Sequence, residues 1–167
     1  MTDTMDKLGV YLSLGSNIGD REKYLRAAIS RLEEYFLREA VVSSFLETEP
    51  WGFECENNFI NCVVRFDIPS AGQNPYLHCH RILSVCKEIE SSLGREQNVE
   101  FDSQGKRVYH SRPIDIDIIF YGNEEVDLPD LKVPHPLAGE RDFVLIPLAE
   151  VAKEGIKDRF PRIFSSK

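Results

Sequence analysis

The sequence predicts an α+β protein, a ferredoxin-like β-α-β-β-α-β sandwich whose helices pack on a mainly antiparallel sheet. Apolar residues recur at helical spacing in two separate segments, and four other segments are continuously apolar or alternate apolar with polar residues. These segments follow one another in the order strand, helix, strand, strand, helix, strand. A chain of 167 residues with 42% hydrophobic content is long enough for one domain, residues 1–167, with a substantial core.

The first half of the chain predicts three strands and one helix. Either Asn17 or Asp20 can cap that helix, because both side chains can accept a backbone N–H at its start. Pro50 and Gly52 punctuate the loop before the third strand. The predicted elements are a buried strand at 8–14, a turn at 15–20, a helix to about Leu37, a strand at 41–47, a loop at 48–57 and a strand at 59–68.

The second half predicts a helix that begins at Pro75 and ends at Gly94, since proline suits a first helical turn and glycine a helix end. Residues 96–110 are polar and have no clear period, and a loop of that length in a compact domain is usually a lid or disordered. The remaining elements are a strand at 111–121, an extended stretch marked by Pro129, Pro134, Pro136 and Gly139, a helix near 143–152, and loosely held tails at 1–6 and about 153–167.

The charge balance argues against several classes of partner. The net charge is −8 and the isoelectric point is about 5.1, with no basic tract, so we expect no binding to nucleic acid or to a membrane surface. No apolar run reaches the length of a membrane-spanning helix and no signal peptide is recognisable, so the expected location is the cytoplasm. The expected oligomeric state is a monomer.

The four cysteines, Cys55, Cys62, Cys79 and Cys86, form no C-x-x-C pattern. The tripeptide His-Cys-His at 78–80 is rich in metal-ligating residue types. However, it lies in a predicted helix, where adjacent residues point in different directions. Reduced and mostly buried thiols are therefore favoured over a structural metal site.

The most informative segment is 111–121, in which Asp115 and Asp117 interrupt an apolar strand. Strand alternation points both aspartates to one face, roughly 6.5–7 Å apart at Cα. Two carboxylates at that spacing can converge on divalent cations, and their hard oxygen atoms suit Mg²⁺. For the pair alone, the alternative is the solvated face of an edge strand. The opposite face is expected to carry Ile114, Ile116, Ile118 and Phe120.

Basic residues lie on both sides of the aspartate pair in the sequence. Together with the aspartates they supply the groups that phosphoryl transfer needs, because that reaction depends on positioning and charge neutralisation. Each one alone is typical of a solvated surface, and their arrangement around the pair is what indicates a phosphate site. No P-loop motif is present, and Gly15 and Gly19 indicate a simple strand-to-helix turn more strongly than an anion site. The basic candidates are Arg95, Lys106, Arg107, Arg112, His135 and Arg141.

Seven short blocks of sequence carry a resemblance to a known enzyme family. The most distinctive is Arg-Pro-Ile-Asp-Ile-Asp-Ile-Ile at 112–119. The other blocks are 12–17, 48–52, 58–61, 89–95, 133–135 and 141–143. In this order they resemble 6-hydroxymethyl-7,8-dihydropterin pyrophosphokinase, and the resemblance covers about residues 8–152.

The resemblance implies that the chain transfers pyrophosphate from ATP to the hydroxymethyl group of the dihydropterin, leaving AMP, in folate biosynthesis. It implies that Asp115 and Asp117 hold two Mg²⁺ ions that bridge the ATP phosphates, and that Arg95 and Arg112 take part in catalysis. The ATP-binding residues that it implies are Glu90, Arg95, Arg112, Ile118, His135 and Arg141. The pterin-binding residues that it implies are Thr48, Pro50, Trp51, Phe59, Asn61 and Phe143.

Two aromatic side chains define the pterin site that the resemblance implies. Phe59 and Phe143 would enclose the flat heterocycle, and Asn61 would hydrogen-bond its edge. Spacing alone favours ordinary core positions for both phenylalanines. The chain departs from the family pattern in having His110 where a small residue is common, Arg107 and Tyr109 near the place of an Arg-Trp pair in the lid, and Pro136 where an aromatic residue is frequent.

Two other functions could use the same residues. A two-metal nuclease or phosphatase could employ the aspartate pair, although the acidic surface and the Phe59 and Asn61 pocket disfavour a nucleic-acid substrate. A nucleotide-binding module without turnover is disfavoured because both aspartates and both phosphate-side arginines are present. Incubation with ATP, Mg²⁺ and the reduced pterin distinguishes the three functions by yielding AMP, ADP or no nucleotide product.

Overall fold

The computed structural model describes residues 7–48, 58–69, 74–94, 100–105, 107–108 and 113–164. The elements in chain order are β1 (Lys7–Ser16), α1 (Arg21–Phe36), β2 (Val41–Val42), β3 (Leu46–Thr48), β4 (Phe59–Pro69), α2 (Pro75–Ser92), β5 (Glu100–Phe101), β6 (Arg107–Val108), β7 (Asp115–Tyr121), β8 (Val126–Leu128), β9 (Leu131–Val133), α3 (Asp142–Val151), α4 (Glu154–Arg159) and α5 (Pro161–Phe164).

Five strands form one antiparallel sheet. The order across the sheet is β2, β4, β1, β7, and β3 pairs with the same strand as β2. If β2 and β3 are taken together as the second strand of the motif, this is the order of a ferredoxin-like sheet, which confirms the predicted fold class. Two small hairpins, β5–β6 and β8–β9, lie outside the main sheet.

The strand predicted at 41–47 is divided into two. The Ser43 amide donates to the Val63 carbonyl at 3.0 Å, but the Val63 amide donates to the Ser43 hydroxyl at 2.9 Å. The next amide, that of Ser44, donates to the Glu150 carboxylate of α3 at 2.8 Å. Side chains therefore replace backbone partners at this point, and the regular ladder stops and resumes three residues later.

Helices α1 and α2 cover one face of the sheet. The Asp20 carboxylate caps α1 by accepting the Lys23 amide at 3.2 Å, and the Asn74 side chain caps α2 by accepting the Leu77 amide at 3.1 Å. The first helix and its Asp20 cap are thus confirmed. Buried residues between the helices and the sheet include Val10, Leu12, Leu14, Leu25, Leu32, Cys62, Val64, Phe66, Ile82 and Cys86.

The register between β1 and β7 shifts at a β-bulge. Leu12 lies opposite Ile118, but its neighbour Tyr11 lies opposite Phe120, so Ile119 is the extra residue. The prediction that Phe120 shares a face with the preceding isoleucines is therefore wrong, because the bulge reverses the alternation. Phe120 packs on the other face of the sheet. Ile114, Ile116 and Ile118 share one face as predicted, and that face lies beneath α1 and α2.

The last helices cover part of that other face. Their packing contradicts a second prediction. Residues 153–167 were expected to be a loose tail, but Ile156 and Phe160 are buried. The rings of Phe160 and Phe120 stack with centroids 5.1 Å apart. The bulge turns the Phe120 side chain away from the core beneath α1 and α2. The C-terminal helices therefore bury an aromatic ring that would otherwise be exposed to solvent. Within the described residues, no helix combines the length and apolar content needed to span a membrane.

The cysteines of β4 and α2 are buried thiols, and the two histidines of α2 make separate contacts. Cys62, Cys79 and Cys86 are free and buried, and burial raises the pKa of Cys62 and of Cys79 to about 12. His78 Nδ1 lies 2.6 Å from the Tyr121 hydroxyl, whereas His80 Nε2 lies 2.9 Å from the Asp130 carboxylate. The two histidines therefore contact different residues and do not point toward a common metal ion.

We expect His78 to make the stability of the fold dependent on pH. Burial lowers the pKa of His78 below its ordinary value of 6.5, so the unfolded chain binds the proton more readily than the folded protein. The contribution of neutral His78 is complete above pH 6.5 and declines as the pH falls below it. In urea unfolding at several pH values, His78→Gln should lose less stability on acidification than the parent protein.

His80→Gln is the matched control for this prediction, because it replaces an exposed histidine on the same helix. An acid-induced loss in His78→Gln as large as that of the parent protein would show that other groups cause the effect.

Candidate functional site

One row of residues crosses three strands of the sheet. On the face opposite α1 and α2, Gly15 of β1 lies directly opposite Asn61 of β4 on one side and Asp115 of β7 on the other. Directly opposed residues in antiparallel strands project to the same face. Ser13, two residues earlier in β1, lies opposite Asp117. The predicted aspartate pair therefore shares one half-buried face, as the alternation indicated.

A cleft of about 360 Å³ lies beside the aspartate pair. It opens between α2, β7 and the β8–β9 hairpin. Of the residues assigned to ATP by resemblance, it brings together Glu90, Ile118 and His135, along with both aspartates. Its other lining residues are Leu83, Lys87, Ile116, Pro129, Asp130, Leu131, Lys132 and Pro136.

Glu90 supports the backbone between the two aspartates. Its carboxylate is buried and accepts the Ile116 amide at 2.8 Å. In the described part of the chain β7 is the last strand of the sheet, so this amide faces the edge and not a neighbouring strand. A charged acceptor makes a strong hydrogen bond, and this bond fixes the backbone of Ile116, which lies between Asp115 and Asp117.

His135 is held as a neutral imidazole. Its backbone amide donates to the Ile119 carbonyl at 3.1 Å, and its Nδ1 accepts the Leu137 amide at 3.2 Å. Burial lowers the pKa of His135 and the Arg141 guanidinium adds to the effect, while the Asp115 carboxylate opposes it. Because Nδ1 is an acceptor, the ring proton of the neutral form is on Nε2, which is left as a donor.

Arg141 and Phe143 link the two sides of the site. Arg141 immediately precedes α3, and its guanidinium carbon lies 5.5 Å from the centre of the Phe143 ring. Both side chains are half-buried, and Phe143 also packs against the second core. The core position that spacing favours for Phe143 is thus partly correct, and the residue keeps an accessible surface.

Asn61 is held in one orientation by its neighbours. Its Nδ2 donates to the Thr48 hydroxyl at 3.0 Å, and Thr48 lies opposite Phe59 in the β3–β4 pair. A Cβ added to Gly15 would lie 2.6 Å from Asn61 Oδ1. The amide oxygen therefore occupies the space that a side chain at Gly15 would fill, and only glycine permits that position. Three of the predicted pterin residues are thus adjacent.

Several predicted residues lie outside the described part of the chain: Pro50, Trp51, Arg95, Lys106, Tyr109, His110 and Arg112. Of the segment 96–110, the structure describes residues 100–105 and 107–108, where β5 and β6 pair as a short hairpin that the sequence did not indicate. Its turn is closed by Asp102, whose side chain accepts the Gln104 amide at 2.9 Å and whose carbonyl accepts the Gly105 amide at 3.0 Å.

Sequence reasoning missed some residues of the cleft. Leu83 and Lys87 lie on the same face of α2 as Glu90, at spacings of four and three residues. That helical spacing was a usable signal, since Glu90 was already a candidate. Leu131 and Lys132 come from the β8–β9 hairpin, for which the sequence predicted only an extended stretch.

Comparison with known proteins identifies consistent relatives. The model of the family "7,8-dihydro-6-hydroxymethylpterin-pyrophosphokinase" matches residues 11–153. A Porphyromonas gingivalis protein named 2-amino-4-hydroxy-6-hydroxymethyldihydropteridine pyrophosphokinase is 45% identical over 144 residues, which are 86% of this chain and 90% of the relative. A Bacillus subtilis protein of the same name is 37% identical over 149 residues, 89% of this chain and 80% of the relative.

A solved structure shares the fold. The crystal structure described as HPPK-DHPS in complex with substrates has a TM-score of 0.59 and 14% sequence identity. The match covers 96% of this chain and 43% of that one. At this identity the likeness supports the fold alone, and it agrees with the sheet order described above.

We expect Gly15→Ala to destabilise the protein by about 1–3 kcal/mol, because overpacking displaces the Asn61 amide. Urea unfolding measures the cost. In an Asn61→Ala background the clash is gone, so the further cost of Gly15→Ala should fall below about 0.5 kcal/mol. An equal cost in both backgrounds would place the conflict elsewhere, for example with Phe59.

Proposed function

The chain belongs to the 7,8-dihydro-6-hydroxymethylpterin-pyrophosphokinase family, and we propose how its residues perform the family's reaction. It transfers pyrophosphate from ATP to the hydroxymethyl group of 6-hydroxymethyl-7,8-dihydropterin in folate biosynthesis. One observation carries the assignment of residues. The cleft that contains Glu90, Asp115, Asp117 and His135 and the cluster around Asn61 lie on either side of Gly15.

Asp115 and Asp117 fit a magnesium site. Among the described residues, no group of three or more His, Cys, Asp or Glu side chains forms a protein cage for a metal. Mg²⁺ in nucleotide enzymes does not need one, because one or two carboxylates share it with water and substrate phosphates. We propose two Mg²⁺ ions here, which when bound would neutralise charge on the triphosphate. Glu90 fixes the peptide between the two carboxylates and so sets their directions.

The cleft offers apolar side chains that suit the adenine ring and polar groups that suit the triphosphate. Leu83, Ile118 and Leu131 offer apolar surface to the flat adenine ring. His135 presents an N–H donor without a charge that would repel the ions, and Arg141 supplies a positive charge. Both are suited to oxygen atoms of the triphosphate.

Arg95 and Arg112 belong to the same proposal, on the strength of the family motif alone. They would supply further positive charge to the phosphates as ATP-binding and catalytic residues.

The cluster on the other side of Gly15 suits the pterin. Thr48 holds the Asn61 amide, so its oxygen has a fixed direction as an acceptor for N–H groups at the edge of the heterocycle. Phe59 and Phe143 provide aromatic surface for its faces. Pro50 and Trp51 complete the proposed site through the loop 48–52. We propose these roles for binding only, because none of these side chains carries a proton to the reaction.

The reaction joins the two subsites. The pterin hydroxyl oxygen forms a bond to the β-phosphorus of ATP, and the bond from that phosphorus to the oxygen bridging it to the α-phosphorus breaks. AMP leaves with the bridging oxygen, and the hydroxyl proton is released. Adjacent strands are about 4.8 Å apart, so Asn61 and Asp115 are about 10 Å apart at Cα with Gly15 between them. This spacing allows a bound pterin and a bound triphosphate to meet over β1.

The remaining proposals concern the surroundings of the site. Residues 96–110, with Lys106, Arg107 and Tyr109, act as a lid that excludes water from the activated phosphate. The protein acts as a cytoplasmic monomer without nucleic-acid or membrane partners. The net charge of −8 supports the absence of nucleic-acid and membrane partners, because the positive charge for binding the phosphates of ATP is needed only locally.

Asp117→Asn should leave a folded protein that forms AMP roughly 10²–10³-fold more slowly, because a group that stabilises transition-state charge is removed. Nucleotide products after incubation with ATP, Mg²⁺ and the pterin are separated by chromatography. Removing Mg²⁺ with a chelator should have the same effect on the parent protein. Asp158→Asn, at an exposed position of α4, is the control. Near-normal AMP formation by Asp117→Asn would reject the metal assignment.

Phe143→Ala should weaken pterin binding roughly tenfold, since an aromatic pair contributes about 0.5–1.5 kcal/mol beyond its buried area. Binding of α,β-methylene ATP with Mg²⁺ should change far less, as measured by titration calorimetry. The matched control is Phe45→Ala, because Phe45 is also half-buried and also has an arginine, Arg26, 5.1 Å from its ring centre. Equal losses for both ligands would indicate a packing defect.

A further inference from the structure

The C-terminal helices pack against the segment that joins two of the proposed ATP residues. Residues 154–164, which form α4 and α5, lie beyond the part of the chain that the family model matches, residues 11–153. The segment 135–141 begins at His135 and ends at Arg141. The family match therefore assigns residues 154–164 no role in the reaction.

The first contact is between two backbones. A Cβ added to Gly139 would lie 3.4 Å from Ile163 Cα and 3.6 Å from the Ile163 carbonyl oxygen. Gly139 is in the middle of the 135–141 segment, and its neighbour Ala138 is fully buried in the second core. A methyl group at position 139 would therefore be in ordinary van der Waals contact with the main chain of α5. A longer side chain, such as that of leucine, would require one of the two segments to move.

The second contact runs through aromatic rings. Phe120 of β7 stacks on Phe160 at 5.1 Å and on Phe164 at 6.1 Å between ring centres. Phe120 directly follows Ile119, whose carbonyl accepts the His135 amide. The C-terminal helices thus touch the strand residue next to the anchor of His135.

The 135–141 segment is a succession of turns and not a regular element. The Ala138 amide donates to the His135 carbonyl, and the Glu140 amide donates to the Leu137 carbonyl, both at 3.0–3.1 Å. The Arg141 carbonyl then accepts amides from the first turn of α3. A segment of local turns has a shape that neighbouring packing can shift, so its two ends need outside support to keep a fixed separation.

We propose that residues 160–164 act as a positioning segment for ATP binding, by holding 135–141 so that His135 and Arg141 contact one triphosphate together. The proposal rests on the ATP roles assigned to those two residues above. The segment itself touches neither the substrate nor the metal. Its effect would be on the affinity for ATP and on the alignment of the phosphates, not on the pterin.

Two glycine substitutions test the proposal. Gly139→Leu places a side chain against the Ile163 backbone, whereas Gly155→Leu introduces the same side chain in α4, where no atom lies within 4 Å of the added Cβ. We expect Gly139→Leu to raise KM for ATP roughly 10- to 100-fold and to change pterin affinity less than about twofold. Gly155→Leu should match the parent protein for both ligands. Equal losses of ATP and pterin binding in Gly139→Leu would overturn the proposal.

A double-mutant cycle separates positioning from general destabilisation. In an Arg141→Ala background, Gly139→Leu should reduce affinity for α,β-methylene ATP by much less than in the parent protein, because one of the groups that it displaces is already absent. A loss of the same size in both backgrounds would overturn the proposal.

The proposed ATP roles can fail separately. If Arg141→Ala and His135→Gln both leave ATP affinity unchanged, the ATP assignment is wrong. The supporting contact is then judged by the ring-proton chemical shifts of His135 in the ligand-free protein, which should move in Gly139→Leu and not in Gly155→Leu. Unchanged shifts in Gly139→Leu would overturn the contact itself.

Phe164→Ala provides a milder variant should Gly139→Leu fail to fold. It removes one of the two rings stacked on Phe120 and leaves the backbone contact at Ile163 intact. We expect a smaller rise in KM for ATP, about threefold, with unchanged pterin affinity. No change in KM for ATP in the folded variant would count against the proposal.

Discussion

The pairing of β1 with strands on both of its sides is the constraint on which the site depends. Because β1 is central, one residue, Gly15, is opposite Asn61 and Asp115 at the same time. Because Gly15 has no side chain, there is room for the Asn61 amide oxygen, and no side chain at position 15 separates the two proposed subsites. A register shift of one residue in either pairing would send its polar side chains to the opposite face, into the core.

The two faces of the sheet have different tasks. One is sealed by α1 and α2 along its length, and it supplies most of the buried apolar surface. The other is covered only in part by the last three helices, and the rest carries the polar side chains of the site. The bulge at Ile119 marks the division, because it moves Phe120 to the covered part of the second face while Asp115 and Asp117 stay on the exposed part.

Electrostatics in the site is local and asymmetric. Of the four carboxylates that line one cleft of this acidic protein, three come from Glu90, Asp115 and Asp117. The three have different surroundings, since Glu90 is buried with a backbone amide as its donor while the aspartates remain half-exposed. A neutral His135 fits this arrangement better than a charged one, because burial and Arg141 both disfavour its protonation. In the proposed function, the half-exposed aspartates offer negative charge to cations, and the Nε2–H of neutral His135 is a donor for a phosphate oxygen.

The sequence by itself determined the features that repeat within one segment. Alternation and helical spacing gave the main strands and helices and the common face of Asp115 and Asp117. For the cap of α1 the sequence offered Asn17 or Asp20, and the structure has Asp20. The resemblance of short blocks to a family gave the substrates and most candidate residues. The fold, the family and the substrates could be inferred in this way because local periods and motifs are written along consecutive residues.

Only the tertiary structure decided how distant segments meet. The Glu90 carboxylate reaches the Ile116 amide across 26 residues of sequence, and Gly15 meets Asn61 through strand register. The bulge at Ile119 breaks no sequence pattern, because isoleucine and phenylalanine suit either face of a sheet covered on both sides. The C-terminal helices looked like a loose tail for the same reason: their few apolar residues gain a purpose only when Phe120 is turned toward them. Such choices depend on which surfaces remain to be buried after the sheet has formed, and no single segment contains that information.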